Sequence, residues 1–334
     1  MKDVYILGIE SSCDETACSI VKNGREIISS IVLSQIDIHT KFGGVVPEIA
    51  SRKHLEAITI VIDECLLKAN MKIDEIDAIA VTKGPGLIGS LLVGLEAAKT
   101  LAFIYDKPLI AVHHIAGHIY ANNLVKEIKY PCLALVISGG HTELVYLPSE
   151  YKFEVLGTTL DDAVGECYDK VARVIEVGYP GWPVIDKLSK NGTLKYNLPT
   201  PLNDNSYNFS FSGLKSAVIN LAHNEKQRGI EIDKESLAYS FQNVVSDVLT
   251  KKTKKALKNY NIKYLITAGG VAANSEIRRK LSIMCQENDV EYCFPDISYC
   301  TDNASMIATA GYFLYKKGEF VSLDLNAEST ISLN

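Results

Sequence analysis

Short apolar blocks separated by polar turns dominate the first part of the chain, and their period predicts strands at residues 4–9, 17–21 and 26–33. The second and third are joined by Asn23-Gly24, a dipeptide suited to a two-residue hairpin because both positions tolerate positive φ. The polar run from Ser11 to Thr16 joins the first two. Helical spacing follows over about 46–69, with Ile49, His54, Leu55, Ile58, Ile62 and Leu66 on one stripe. A strand at 78–82, a helix at about 89–105 and a strand at 109–112 come next, and a helical segment opens near His113.

The same order then returns. Strands are predicted at 132–137, 143–147 and 153–158, with the polar turn Ser138-Gly139-Gly140-His141-Thr142 after the first and a helix at 163–177 after the third. Residues 264–271 read as a strand running into glycines, before a helix that opens near Asn274. Recurrence of strand, turn, strand, strand, helix in both halves predicts a duplicated α/β architecture. Residues 178–212, rich in Pro, Gly and Asn, predict a long irregular insertion of the kind that carries function. Helical patterns at 213–222 and 234–257 follow it. A last helix at about 303–315 is expected to be capped by Thr301 or Asp302 and stopped by Lys316-Lys317-Gly318.

A length of 334 residues exceeds what one hydrophobic core organises, so two domains are expected. The hydrophobic fraction of 47% and charged fraction of 22% exclude wholesale disorder. A net charge of −6 excludes a surface that grips nucleic acid everywhere, though not a local basic patch. The eight cysteines form no C-x-x-C pair and mostly lie in apolar runs, as in Pro131-Cys132-Leu133, which reads as reduced core thiols. The amino terminus turns polar too soon for a signal peptide, and no stretch is apolar for long enough to span a membrane. A cytoplasmic protein is the expectation.

Three polar loops follow three apolar strands, at 10–16, 138–142 and 269–274. Glycine at a strand end lets backbone approach a ligand, and consecutive free N–H groups make an anion-binding concavity. Each loop alone reads more readily as an ordinary turn; three in this order favour a nucleotide. The usual fingerprints are missing. The segment 84–90 has the glycine spacing of a P-loop but carries Ser90 where the phosphate-binding lysine belongs, so it reads as a tight entry to a buried helix. No G-x-G-x-x-G follows the first strand.

His114 and His118 are four apart in a helical segment and can meet one metal ion, with His113 pointing elsewhere. Ile115 stands where H-E-x-x-H would place its general base, which disfavours peptidase chemistry by that route. A further ligand is needed; a carboxylate from a distant loop is the obvious kind and Asp302 is one candidate. Glu166 and Asp169 share a helix face and could hold ribose hydroxyls or a metal-bound water, whereas Asp161 and Asp162 fit the acidic bias of a helix start. Lys251, Lys252, Lys254, Lys255 and Lys258 form the one dense basic run, which suits a solvated helix end and, as a second reading, an RNA backbone.

Nine segments carry a more specific likeness: GIESSCDET at 8–16, GGVVPEIASRKH at 43–54, TKGPGLIGSLLVG at 82–94, HHIAGH at 113–118, LVISGGHTEL at 135–144, DDAVGECYDKVAR at 161–173, FSFSGLKSA at 209–217, AGGVAAN at 268–274 and TDNA at 301–304. Together they resemble the bacterial branch of the tRNA N6-adenosine threonylcarbamoyltransferase family (TsaD), formerly called O-sialoglycoprotein endopeptidases. The resemblance covers essentially the whole chain. It implies an acetate kinase, Hsp70 and actin-like fold, two α/β domains flanking a nucleotide cleft. The first would span 1–130 with 303–334 and carry the histidine pair; the second would span 131–302 and contain the insertion 178–212.

The resemblance further implies an acyltransferase that moves the threonylcarbamoyl group of threonylcarbamoyl-AMP to N6 of adenosine 37 in tRNAs reading codons that begin with A. His114, His118 and Asp302 match the ligands of one Fe2+ or Zn2+; Val136, Ile137, Ser138, Gly139 and Gly140 match the substrate loop, and Asp169, Asp186 and Asn274 match further adenylate contacts. No covalent nucleophile is implied, and an ATP- or ADP-type nucleotide could occupy the cleft. Implied partners are tRNA, a paralogous TsaB-like subunit, a small TsaE-like ATPase and an upstream threonylcarbamoyl-AMP synthase. One position departs: Tyr179-Pro180-Gly181-Trp182-Pro183 places an indole where the family pattern has a second glycine, so that glycine's role is not carried over. The rival readings are a metallopeptidase and a non-catalytic ATP-binding subunit of the same superfold.

Overall fold

The computed structural model describes residues 2–333. The chain divides into unit 1, comprising 1–128, 150–152 and 295–334, and unit 2, comprising 129–149 and 153–294. Asp302 thus falls in the same unit as the two histidines.

Unit 1 is built on strands β1 (Tyr5–Glu10), β2 (Glu15–Lys22), β3 (Glu26–Ser34), β4 (Ala78–Gly84) and β5 (Leu109–His113), ordered β3-β2-β1-β4-β5. The three amino-terminal strands pair antiparallel, and β1, β4 and β5 pair parallel. The β2–β3 turn has Asn23 at φ 53° and Gly24 at φ 66°, the conformation that the Asn-Gly pair predicts. Helices α1 (Ile36–Thr40), α2 (Pro47–Ala69), α3 (Ile88–Ile104) and α4 (His114–Tyr120) complete the amino-terminal part.

Unit 2 repeats the plan. Its strands β6 (Cys132–Ile137), β7 (Thr142–Leu147), β8 (Glu154–Thr158), β9 (Tyr264–Ala268) and β10 (Glu291–Cys293) are ordered β10-β9-β6-β7-β8, again three antiparallel strands joined to a parallel pair. This is the duplicated α/β fold that the recurring pattern predicts. Its helices are α5 (Val164–Val174), α6 (Gly181–Ser189), α7 (Ser212–Gln227), α8 (Lys234–Asn259) and α9 (Ser275–Glu287). The insertion expected to be irregular from 178 to 212 therefore contains a helix, α6. Pro183 does not break it, because a proline in the first helical turn removes no intrahelical bond.

The chain returns to unit 1 with α10 (Ile297–Cys300) and α11 (Ala304–Lys317). Side chains of a strand alternate between faces. Leu7 and Ile9 join the core under α2 and α3, while Gly8 faces α11. A Cβ at Gly8 would come within 2.4 Å of the Ala304 carbonyl oxygen, and one at Gly311 within 2.6 Å of the Ala80 Cβ. Small residues on both partners thus let α11 lie directly on the sheet, with its amino terminus over the end of β1. The cap differs from expectation: Asn303 accepts from the Met306 amide at 3.0 Å, so the cap is neither Thr301 nor Asp302. Gly318 ends the helix at φ 71°, as the sequence predicts.

The eight cysteines are free thiols, all buried except the half-buried Cys13. Among the described residues no helix is long and apolar enough to cross a membrane.

Candidate metal centre and anion loop

Helix α4 begins at His114 because the preceding histidine caps it. His113 Nδ1 accepts from the Ile115 amide at 3.1 Å, and its Nε2 donates to the Ile331 carbonyl at 3.3 Å. Burial pushes the His113 pKa down to about 4, which keeps the ring neutral and able to do both. Gly117 fits α4 against α11, where a Cβ would come within 2.8 Å of Ile307. The helix pair fixes the histidines beside the residue that leads into α11.

The His114 and His118 rings lie 4.7 Å apart between centroids, nearly perpendicular. The Asp302 Oδ1 lies 3.0 Å from His118 Nε2 and 3.6 Å from His114 Nε2. One donor atom from each residue falls within 4.8 Å of the others. His118 is buried, yet among the described residues neither ring nitrogen makes a hydrogen bond of ordinary geometry, even at 3.0 Å from Asp302. A buried ring without a directed bond costs free energy unless its lone pair meets something else. Two imidazoles and one carboxylate converging in this way suit Zn2+ or Fe2+ with positions left open.

Glu10, at the end of β1, completes this arrangement and was not singled out in the sequence. It is fully buried and accepts from the Ser12 amide, from Thr82 Oγ1 at 2.7 Å and from His114 Nδ1 at 3.1 Å. A bond from Nδ1–H to Glu10 turns Nε2 to the Asp302 side as the nitrogen that would give up its proton to ligate a metal, which is how an outer carboxylate fixes a ligating histidine. Burial disfavours charge on His114, but Asp302 and Glu10 outweigh it and raise the pKa to about 9. Two carboxylates around His114 thus favour positive charge at this point.

Of the three glycine-type loops, the one at 10–16 is consumed by packing. Ser11 Oγ donates to the Ser90 carbonyl and accepts from the Gly94 amide, and the Ser12 carbonyl accepts from Leu87. Gly86, whose Cβ would lie 2.7 Å from the Ser12 carbonyl oxygen, makes the 84–90 segment the tight helix entry that its missing lysine suggested. The 138–142 loop is different. Ser138 and His141 bond each other, and the Ser138 and Gly139 carbonyls accept from Gly165 and Glu166 at the start of α5. The Gly139 and Gly140 amides make no hydrogen bond among the described residues, and both glycines face open space. Two free amides beside a helix amino terminus suit an anion. Val136 and Ile137, in contrast, are buried strand residues that support the loop.

Asp186 and Asn274 meet through a buried glutamine. Gln242 Nε2 donates to Asp186 Oδ1 at 3.1 Å and Ser189 Oγ at 2.9 Å, and its Oε1 accepts from Asn274 Nδ2 at 2.8 Å. The Asn274 side-chain oxygen caps α9 through the Glu276 and Ile277 amides, and Asp186 also accepts from Ser275 Oγ at 2.8 Å. Asp169 accepts from the Gly181 amide at 2.6 Å, where a Cβ on Gly181 would come within 2.6 Å of the Asp169 Cα. Trp182 is half-buried beside it. The other acidic residues are committed elsewhere: Asp161 holds Ser210, Phe211 and Ser212, Asp162 pairs with Lys170 and Lys215, and Glu166 pairs with Lys170. A polar Gln242 between Phe241 and Val245, two buried apolar neighbours, was the available signal for the residue missed here.

The model of the family described as tRNA N6-adenosine threonylcarbamoyltransferase, TsaD, matches residues 26–309. Proteins of that name from Staphylococcus aureus strains JH9 and MRSA252 are each 56% identical over 333 residues, 99% of this chain and 98% of theirs. Among solved structures, component A of the Acidaminococcus fermentans (R)-2-hydroxyglutaryl-CoA dehydratase aligns with a TM-score of 0.56 at 18% identity, over 94% of this chain and 98% of that one. HypF from T. kodakarensis aligns with a TM-score of 0.64 at 14% identity, over 97% of this chain and 49% of that one. At such identities the two structures speak for the fold. With a histidine pair and carboxylate in one unit, an open amide loop in the other and this degree of identity to named relatives, the chain belongs to the tRNA N6-adenosine threonylcarbamoyltransferase family.

Proposed function

We propose that this chain transfers the threonylcarbamoyl group of threonylcarbamoyl-AMP to N6 of adenosine 37 in tRNAs that read codons beginning with A. The observation that carries the reading is the convergence of His114, His118 and Asp302, with Glu10 behind His114, in a chain more than half identical to enzymes of that name. The amine nitrogen N6 attacks the carbamoyl carbon, the bond from that carbon to the phosphate oxygen breaks, AMP leaves and N6 gives up a proton. The leaving group is already activated, so no covalent nucleophile is required.

His114, His118 and Asp302 would hold one Fe2+ or Zn2+, which supplies Lewis acidity for a weak nucleophile and a polarisable carbonyl. The chain's own groups do the rest. Glu10 keeps the His114 proton on Nδ1. The Gly139 and Gly140 amides offset charge on the phosphate, with Ser138 shaping the turn. Asp169 and Asp186 accept from hydroxyls of the adenylate, and Asn274 holds Gln242 in register with Asp186.

A metallopeptidase reading lacks its base, since Ile115 occupies that position of α4 and is buried. A cytoplasmic location, a TsaB-like paralogue, a small TsaE-like ATPase and a separate threonylcarbamoyl-AMP synthase accompany the reading. The deciding experiment combines the purified chain, metal, threonylcarbamoyl-AMP, tRNA and the two partner subunits. Threonylcarbamoyl-adenosine should appear on nucleoside mass spectrometry; a complete mixture without product sinks the reading.

A further inference from the structure

The lysine run of α8 separates into two groups. Lys251, Lys252 and Lys255 turn to the loop at 203–207: Lys251 donates to Asn203, Lys252 to Asp204 and the Ser206 carbonyl, and Lys255 to the Asn205 carbonyl. These ammonium groups strap the loop onto the helix. Lys254 and Lys258 do not take part. They are exposed, have no hydrogen bond or ion pair among the described residues, and stand one turn apart on the helix. Like charges at that spacing destabilise a helix unless something neutralises them.

Lys263, just before β9, joins them around one groove of about 290 Å³, and among the described residues its ammonium donates only to the Asn288 carbonyl. Among the described residues no carboxylate lines this groove; its floor is Leu257, Ile262, Met284 and Val290. Three ammonium groups above an apolar floor, in a chain of net charge −6, make a local site for a phosphate carrying a flat or sugar-like neighbour.

We infer that the Lys254–Lys258–Lys263 groove holds the phosphodiester backbone of the RNA substrate, away from the reacting base. This rests on the reading of the chain as a tRNA-modifying enzyme. Along α8 the groove lies roughly 18–24 Å beyond Gln242, at 1.5 Å of rise per residue. That span equals a few nucleotides of backbone, so the contact anchors the nucleic acid without touching adenosine. The acidic balance of the rest of the chain makes the groove a local anchor rather than part of a general basic surface.

The test uses the complete enzyme mixture with the Lys254→Gln, Lys258→Gln, Lys263→Gln triple variant, and a Lys254→Gln, Lys258→Gln double variant that leaves the Asn288 contact intact. The KM for tRNA should rise about tenfold in the triple variant, and the slope of log affinity against log salt should fall by about 2–3. The kcat and the KM for threonylcarbamoyl-AMP should stay unchanged, with the double variant intermediate. A parent-like tRNA KM and salt slope in both variants overturns the inference. So does an unchanged tRNA KM with weakened binding of a partner subunit, which would make the groove a protein contact. If the parent makes no product, the proposed activity fails. Salt-dependent tRNA binding to the assembled subunits then still decides the groove.

Discussion

His114 Nδ1 lies 3.1 Å from Oε2 of Glu10, a carboxylate with no exposed surface. Burying a carboxylate costs several kcal/mol unless its lone pairs are met, and here the Ser12 amide and the Thr82 hydroxyl meet the remainder. The expense makes sense if the glutamate orients a ligating ring. Glu10→Gln should weaken metal affinity by about 10–100-fold, read by competition with a chelating dye, while the metal-free unfolding temperature moves little. Glu10→Ala should lower both. Parent-like affinity in both variants would remove Glu10 from the centre.

Gln242 predicts a second effect, in unit 2. Gln242→Leu keeps much of the volume but strips partners from Asp186, Ser189 and Asn274. Unfolding in urea should show a loss of about 2–3 kcal/mol, and the KM for threonylcarbamoyl-AMP should rise. A stable variant with parent kinetics would mean that the network serves neither purpose.

Gly8→Ala tests whether the close approach of α11 sets the metal centre. The new Cβ would lie 2.4 Å from the Ala304 carbonyl oxygen and 2.7 Å from the Ala308 nitrogen, both backbone atoms that cannot move alone. A destabilisation of about 3 kcal/mol is expected. Metal content per folded chain should drop as well, because Asp302 leads directly into α11.

His54 gives a pH dependence. Its Nδ1 lies 2.7 Å from Thr16 Oγ1 and its Nε2 2.9 Å from the Cys13 carbonyl, an arrangement for a neutral ring. Burial lowers its pKa, against the opposing pull of the Cys13 carbonyl, Glu10 and Asp14. The unfolded chain therefore takes up this proton first as pH falls below about 6.5, so His54 favours folding at neutral pH and that contribution is lost on acidification. The Tm of the parent should fall more steeply between pH 7.5 and 5 than that of His54→Gln, measured metal-free. Parallel curves would refute it.

What the sequence revealed and hid follows from the range of each interaction. The Asn23-Gly24 turn was legible because two adjacent residues decide it. The histidine pair was legible because one helical turn decides it. Helix α6 was hidden by Pro183 and Gly181, residues that punctuate a pattern even where a first turn accommodates them. Asp302 looked as good a cap as Asn303, and only the three-dimensional frame of α11 separates them. Glu10 and Gln242 draw their meaning from partners 72–104 and 32–56 positions away, beyond any local window.

The return of the chain to unit 1 through α11 also sets an order of events during synthesis. Unit 2 is made from a nearly continuous stretch and has all its strands once residue 294 has emerged. Unit 1 does not: Ile6 and Gly8 of its central strand stay uncovered until α11 has emerged. Domains generally fold as they emerge, from the amino terminus onward. Here the sheet that carries β1 is made before the helix that covers it, and the histidines on α4 can meet Asp302 only after the whole of unit 2 has been made.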